Sequence, residues 1–317
     1  MDSFLITGGA GFIGSHLADR LLRAGKRVGI IDNFDDYYDP ALKRANLREV
    51  SASGRFELFE MDIRDGTKLQ ASLRSFQPEG VVHLAARPGV RASFLNPQEC
   101  VSVNVLGTTQ VLEACRQNSV RRLVFASSSS VYGQSCQAPF REDDPVGRPL
   151  SVYAASKAAG EALCFAYSQA YTLPVVCARL FTVFGPRQRP DLAIRKFADL
   201  ILAGEELPVF GDGSLQRDYT YVDDIVEGLV RALDVPASFE VFNLGDSHPV
   251  RLDCMARTLA GELGRSVRMR FLPVPSGEML LTHADLAKAK QVLGYSPQVT
   301  FENGIQAFVA WLNAQRS

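Results

Sequence analysis

Six short runs rich in β-branched and aromatic residues recur through the first 178 positions: Phe4 to Thr7, Arg27 to Ile31, Phe56 to Phe59, Gly80 to Leu84, Leu123 to Ala126 and Val175 to Ala178. A segment long enough for a helix separates each run from the next. Parallel neighbours in a sheet need such crossovers, because the chain must travel back to the starting edge before the next strand begins. The alternation therefore predicts repeated βα units, a doubly wound parallel sheet and helices on both of its faces.

The regularity fades after residue 178. Proline and glycine collect between 185 and 213 and again between 273 and 277, marking loops around short elements. A chain of 317 residues is long enough for a nucleotide-binding domain and a smaller mixed α/β substrate domain. We expect the first over 1–178 and the second over 179–317. The stretch 219 to 234 reads as one amphipathic helix, so the chain is expected to rejoin the first domain over about 215–245.

Composition excludes several classes. The formal net charge is −1 with no long basic run, which leaves no electrostatic footprint for nucleic acid. No stretch approaches the roughly 18 consecutive apolar residues of a membrane span. Residues 3 to 7 already read as a strand with no secretory leader before them. Six scattered cysteines (Cys100, Cys115, Cys136, Cys164, Cys177 and Cys254) form no Cys-x-x-Cys pair, which fits reduced thiols in the cytoplasm and predicts no metal site.

The first predicted strand runs straight into Gly8-Gly9-Ala10-Gly11-Phe12-Ile13-Gly14 and a helix expected over Ser15 to Ala24. Without side chains in the turn, backbone N–H groups can approach a pyrophosphate where the helix dipole favours negative charge. The second strand ends in Asp32-Asn33, eighteen positions beyond Gly14. A carboxylate there can accept hydrogen bonds from ribose hydroxyls and would repel a 2′-phosphate, which predicts NAD over NADP. Asp62 and Ile63 after the third strand can border the adenine. Leu84, Ala85 and Ala86 after the fourth offer small side chains beside the cofactor.

Tyr153-Ala-Ala-Ser-Lys157 opens a helical stretch over Ser151 to Tyr171, and its i, i+4 spacing puts phenol and ammonium on one face. A free tyrosine titrates near pH ~10, so a neighbouring positive charge is needed to favour its phenolate. Ser127, Ser128, Ser129 and Ser130 follow the fifth strand, at the end of a parallel sheet where ligands collect. A hydroxyl there can hydrogen-bond a reacting sugar oxygen and relay its proton to Tyr153. A polar turn and an incidental surface pair are the plain alternatives. The order of these pieces along one βα framework argues against both.

Taken together, TGGAGFIG (Thr7 to Gly14), HLAA (His83 to Ala86), SSVYG (Ser129 to Gly133), YAASK (Tyr153 to Lys157), RDYTYVDD (Arg217 to Asp224) and ADLAKA (Ala284 to Ala289) resemble the extended short-chain dehydrogenase/reductase family over nearly the whole chain. The resemblance implies a Rossmann-type sheet, bound NAD and a UDP-sugar substrate. Within the family, DNFDDYYDPALKR (Asp32 to Arg44), PGVRAS (Pro88 to Ser93) and LFTVFGPRQRPD (Leu180 to Asp191) are most similar to UDP-glucuronate 4-epimerases.

That resemblance implies catalytic roles for Ser128, Tyr153 and Lys157, with Ser127, Tyr153 and Lys157 also touching the cofactor. It implies that Pro88, Gly89, Val90, Arg91, Ser128 and Ser129 border the substrate. Thr182 and Arg189 would face the sugar carboxylate, Arg217 the diphosphate, Val209 and Phe210 the uracil, and Glu278 the uridine ribose. Ser130 stands where dehydratases and UDP-glucuronate decarboxylases carry an acid, which demotes them. Pro275 stands where hexose epimerases often place a second phosphate-binding arginine. A neutral-sugar epimerase and a catalytically silent NAD sensor are the other readings. Apolar positions in excess of one buried face over 97 to 117 and 151 to 171 suggest a homodimer, with burial against the sheet alone as the alternative.

Overall fold

The computed structural model describes residues 1–134, 137–275 and 277–316, so Cys136 lies outside the described residues. Twelve strands are numbered in chain order: β1 Ser3–Thr7, β2 Arg27–Asp32, β3 Phe56–Glu60, β4 Gly80–His83, β5 Arg122–Ser128, β6 Val175–Leu180, β7 Thr182–Phe184, β8 Leu207–Phe210, β9 Gln216–Tyr221, β10 Phe239–Leu244, β11 Pro249–Arg251 and β12 Met269–Leu272.

Seven of them form one parallel sheet in the order β10-β6-β5-β4-β1-β2-β3. This is the doubly wound, Rossmann-type sheet expected from the alternating runs. Strand order reverses between β1 and β4, and the crevice outside the carboxyl ends of those strands is where such sheets hold ligands.

Both faces of the sheet are packed, and side-chain alternation sorts residues between them. Phe4, Ile6, Val28, Ile30, Val82, Val124, Ala126, Val176 and Ala178 enter one core with the helices Phe12–Arg23 and Val222–Leu233. Leu5, Ile31, Val81, Leu123, Phe125, Val175 and Cys177 enter the other, with the helices Gly66–Phe76, Thr108–Gln117 and Val152–Tyr171. Strands buried at every position, such as Val175–Leu180, apolar but for Arg179, are explained by this double burial.

The remaining strands form two small sheets, β11-β9-β7 and β12-β8. The chain leaves the large sheet after Leu180 and returns through the helix Val222–Leu233 and β10. The single helix read over 219 to 234 is corrected here: Tyr219, Thr220 and Tyr221 end β9, paired with Thr182, Val183 and Phe184 of β7. Tyr221 is the N-cap without any side-chain capping bond, so no capping residue marks the boundary in the sequence. The stretch 97 to 117 is likewise divided into Pro97–Val101, a π-helical turn Ser102–Gly107 and Thr108–Gln117.

Candidate active site

A cleft of about 660 Å³ opens at the carboxyl ends of the sheet strands. It is lined by the glycine turn, Asp32, Asn33, the serines after β5, Tyr153, Lys157 and residues of the small sheets. Each residue proposed above for cofactor, substrate or chemistry lines this one cleft, with a single exception. Val209 is wholly buried in the core, so it does not border a ligand. β8 alternates inward and outward, and its outward pair at the cleft is Pro208 and Phe210.

The glycine turn is built for close approach. Gly8 has φ +70°, and a Cβ there would lie 2.8 Å from the Ala85 nitrogen. A Cβ on Gly14 would collide with the Gly8 carbonyl oxygen. The helix Phe12–Arg23 starts at Gly11 with no side-chain cap, leaving its first N–H groups directed at the cleft. Asp32 supports the turn by accepting from Ala10 N at 3.1 Å and Phe34 N at 2.9 Å. Its burial raises the carboxyl above the usual range, while nearby Lys43 opposes that shift. Asn33 donates to Asp62 at 3.2 Å, and Asp62 is paired with Arg64 at 2.7 Å. Asp32 thus holds the turn and faces the cleft at once, and Asn33 is tied back to Asp62. A pyrophosphate and an adenosine ribose fit these groups.

His83 is structural. Thr7 Oγ1 lies 2.7 Å from Nδ1, and Thr108 Oγ1 lies 3.0 Å from Nε2. Thr108 spends its own proton on the Asn104 carbonyl at 2.6 Å, so Nε2 carries the ring proton and Nδ1 accepts from Thr7. Burial, reinforced by the Lys157 charge, pushes the ring down to about 3.

The helix Val152–Tyr171 carries the chemistry and is tightly registered. Ser151 caps it through Ala154 N at 3.1 Å. Glu161, one turn beyond Lys157, forms a buried ion pair with Arg179 of β6 at 2.8 Å and also accepts from Ser127. The Ser127 hydroxyl is therefore turned to the helix. Lys157 Nζ donates to the Ala126 carbonyl at 2.7 Å, and burial lowers it to about 8. Burial raises the Tyr153 phenol, whereas a hydrogen bond with Ser128 and the Arg189 charge pull it down. Ser128 Oγ also accepts from Ser130 Oγ at 2.9 Å.

Arg189 is not a solvated loop charge: its side chain is 19% exposed and paired with Asp191. Arg217 and Arg91 converge on Glu278, the latter at 3.7 Å, and the Arg91 guanidinium lies 4.2 Å from the Phe210 ring centroid. Glu278, expected against a ribose, is thus the counter-ion of two arginines. Pro275 supplies only a turn, accepting from Glu278 N at 3.4 Å.

Residues 5–308 match the family described as GDP-mannose 4,6 dehydratase. The chain belongs to this family of NAD-dependent epimerases and dehydratases. A UDP-glucuronate 4-epimerase of Thermodesulfobacterium geofontis is 39% identical over 313 residues, covering 98% of this chain and 96% of that one. The structure of UDP-glucuronic acid 4-epimerase from Bacillus cereus, in complex with UDP-glucuronic acid and NAD, superposes with a TM-score of 0.92 at 37% identity, over 98% of this chain and 99% of that chain. UDP-glucose 4-epimerase from Thermotoga maritima with UDP-glucose superposes equally well, TM-score 0.92, at 30% identity and full coverage of both chains.

Several cleft residues escaped the sequence reading, among them Tyr37, Tyr38, Lys43, Arg87, Asp191 and Lys196. Tyr37, Tyr38 and Lys43 lie within DNFDDYYDPALKR, where the motif signalled kinship and no local periodicity assigned them a direction. Among the described residues no group of three or more His, Cys, Asp or Glu side chains could hold a metal, and no helix is long and apolar enough to cross a membrane.

Proposed function

We propose that the protein is an NAD-dependent epimerase that interconverts UDP-glucuronate and UDP-galacturonate by inverting C4 of the sugar. The observation that carries this is the composition of one cleft: a glycine turn and Asp32, the set Ser128, Tyr153 and Lys157, and the half-buried Thr182 and Arg189. The kinship to proteins named UDP-glucuronate 4-epimerase supports the same substrate.

Bound NAD would supply the acceptor for the C4 hydride and the source of its return. The glycine turn and the first N–H groups of Phe12–Arg23 would hold its pyrophosphate, and Asp32 its adenosine ribose. Tyr153 accepts the C4 hydroxyl proton, with Ser128 hydrogen-bonded to the phenol and to the sugar oxygen. Lys157, fixed on the Ala126 carbonyl, keeps an ammonium beneath the reaction centre at neutral pH. The product of this step is a 4-keto sugar with a carboxylate on the adjoining carbon, a β-keto acid that loses CO2 when its carboxylate stands perpendicular to the ketone plane. Thr182 and Arg189 hold the carboxylate away from that orientation through charge-assisted hydrogen bonds. The ring then turns over, Tyr153 returns its proton, and C4 is inverted.

Residues 1–178 with the returning segment 222–244 form the nucleotide-binding part in this reading, and the remainder binds the sugar nucleotide. Arg217 and Arg91 would face the diphosphate, and Phe210 the uracil. A cytoplasmic location is part of this proposal, and the free thiols of the described cysteines support it. A homodimer is proposed through the outer faces of 97–117 and 152–171, where Val101, Leu106, Phe165 and Tyr171 are all more than two-fifths exposed.

Incubation with UDP-glucuronate, followed by chromatography and mass analysis, tests the function. A new species of unchanged mass that co-elutes with UDP-galacturonate is the expected product. Loss of CO2 would make the protein a decarboxylase. Turnover confined to UDP-glucose would make it a neutral-sugar epimerase, the reading favoured by the fit to the Thermotoga maritima enzyme. No turnover of any UDP-sugar would leave an NAD-binding sensor.

A further inference from the structure

The segment that follows β2 begins at the adenosine end of the cleft with Asp32 and Asn33 and ends at the sugar acid. Five residues after Asp32, the Tyr37 hydroxyl donates to Asp191 Oδ2 at 3.2 Å. Asp191 in turn grips Arg189 through two parallel bonds, Nε to Oδ1 at 2.9 Å and Nη2 to Oδ2 at 3.0 Å. Two guanidinium groups approach the Tyr37 ring, Arg87 at 4.9 Å and Arg189 at 5.9 Å from its centroid. Arg87 is anchored by Asp35 of the same segment. Burial and the neighbouring Asp191 push the Tyr37 phenol up to about 12, so it stays a donor throughout the neutral range.

Two consequences follow from counting donors and charges. Nε and one hydrogen of Nη2 are committed to Asp191, which leaves the edge formed by Nη1 and the second Nη2 hydrogen without an acceptor among the described residues. The pair is close to neutral overall, so an incoming carboxylate meets one directed N–H edge and no surplus of positive charge. Arg189 also has little freedom to rotate, since its fork is matched to a carboxylate that Tyr37 holds in place.

We propose that Asp191 and Tyr37 are positioning residues that present the Nη1 edge of Arg189 to the sugar carboxylate while restraining its charge, making the loop after β2 part of the acid-recognition site. This rests on the reading of Arg189 as the carboxylate ligand. The restraint has a use. A fully free guanidinium would meet the carboxylate with its whole charge, binding it tightly in one orientation and opposing the ring turnover that epimerisation requires. A guanidinium whose charge is already matched by Asp191 holds the carboxylate less tightly, so the carboxylate and the ring can move between two poses.

The test is a pair of variants, Asp191→Asn and Tyr37→Phe, assayed with UDP-glucuronate and with UDP-glucose. Asp191→Asn removes the competing carboxylate, so KM for UDP-glucuronate falls and its kcat falls, each by about tenfold, while both constants for UDP-glucose move less than about twofold. Tyr37→Phe leaves Asp191 in place and gives the same joint fall of KM and kcat at smaller size, which carries the test if Asp191→Asn does not fold. Bound NAD, read by absorbance, stays at the wild-type level in both. Parallel changes for the two sugars, or no change for either, would overturn the positioning role. A wild-type protein that turns over UDP-glucose but not UDP-glucuronate would instead overturn the functional reading, whatever the variants do.

Discussion

Lys157 reaches from the second turn of its helix to the carbonyl oxygen of Ala126, 2.7 Å away at the end of β5. The contact joins the helix that carries Tyr153 to the strand that leads into Ser128, so the phenol, the ammonium and the serine are held by one bond across two elements. The ion pair between Glu161 and Arg179 repeats the linkage one turn further on. Breaking such a buried pair by removing one partner costs about 3–5 kcal/mol, which is ample to let the helix shift relative to the sheet.

Lys157 is lowered to about 8 by burial, so its ammonium persists below that pH and is lost above it. We expect kcat/KM for UDP-glucuronate to fall as pH rises through about 8, the value for the free enzyme. Lys157→Arg, whose charge does not titrate in this range, should show no such alkaline limb in whatever activity it retains. Steady-state rates measured between pH 6 and 10 check both curves.

Arg189→Ala removes a charge-assisted hydrogen bond of about 1.5–3 kcal/mol. On that scale kcat/KM for UDP-glucuronate drops by roughly ten- to a hundredfold, whereas that for UDP-glucose is little changed. A larger share of the turned-over sugar should also lose CO2, which mass analysis of the products resolves. Unchanged epimerisation of the acidic sugar would remove Arg189 from the site.

Val209 and Phe210 are adjacent in the chain and face opposite ways. Val209→Ala should lower stability by about 2 kcal/mol, from lost burial plus the cavity left behind, and leave KM alone. Phe210→Ala should raise KM for the sugar nucleotide with little effect on Tm. Thermal melts and saturation kinetics on the two variants form a crossed pair, and a KM effect at Val209 would contradict its burial.

His83 is neutral in the fold, lowered to about 3, whereas an unfolded histidine titrates near ~6.5. The unfolded chain therefore binds the extra proton between those values. Stability contributed by keeping the ring neutral is complete above about pH 6.5 and is lost as pH falls toward 3, with a slope approaching about 1.4 kcal/mol per pH unit. His83→Asn should flatten this part of the acid limb in urea titrations, at the expense of some stability at pH 7. An unchanged slope would mean that other groups dominate acid unfolding.

For the dimer, sedimentation should return twice the 34.7 kDa chain mass. Leu106→Glu places a charge on the exposed apolar face of the 97–117 stretch and should shift the population to the single chain. A wild-type protein that sediments as one chain at micromolar concentration would dispose of the interface.

The sheet was legible because double burial writes itself into composition: runs such as Val175 to Ala178 are apolar at every position, and the segments between them are helix-length. The glycine turn was legible for a related reason, since Gly8 and Gly14 admit no side chain without collision. Where local rules are weak, the reading slipped. Tyr219 to Tyr221 joined the following helix in the sequence because no capping side chain separates them, and only pairing with β7 shows them to be a strand. Kinship names Val209 and Phe210 as one stretch, while a strand's alternation assigns its two faces only once its packing partner is known.

By itself the amino-acid sequence determined the element order, the βα crossovers, the glycine cradle and the order in which Ser128, Tyr153 and Lys157 occur, since all of these follow from local spacing and side-chain character. The tertiary structure alone decided which side chains meet across long stretches of chain. Tyr37 reaches Asp191 across 154 positions, and Arg217 reaches Glu278 across 61. No local pattern encodes such partners, because a buried guanidinium pairs with whichever carboxylate the packed elements bring within hydrogen-bond distance.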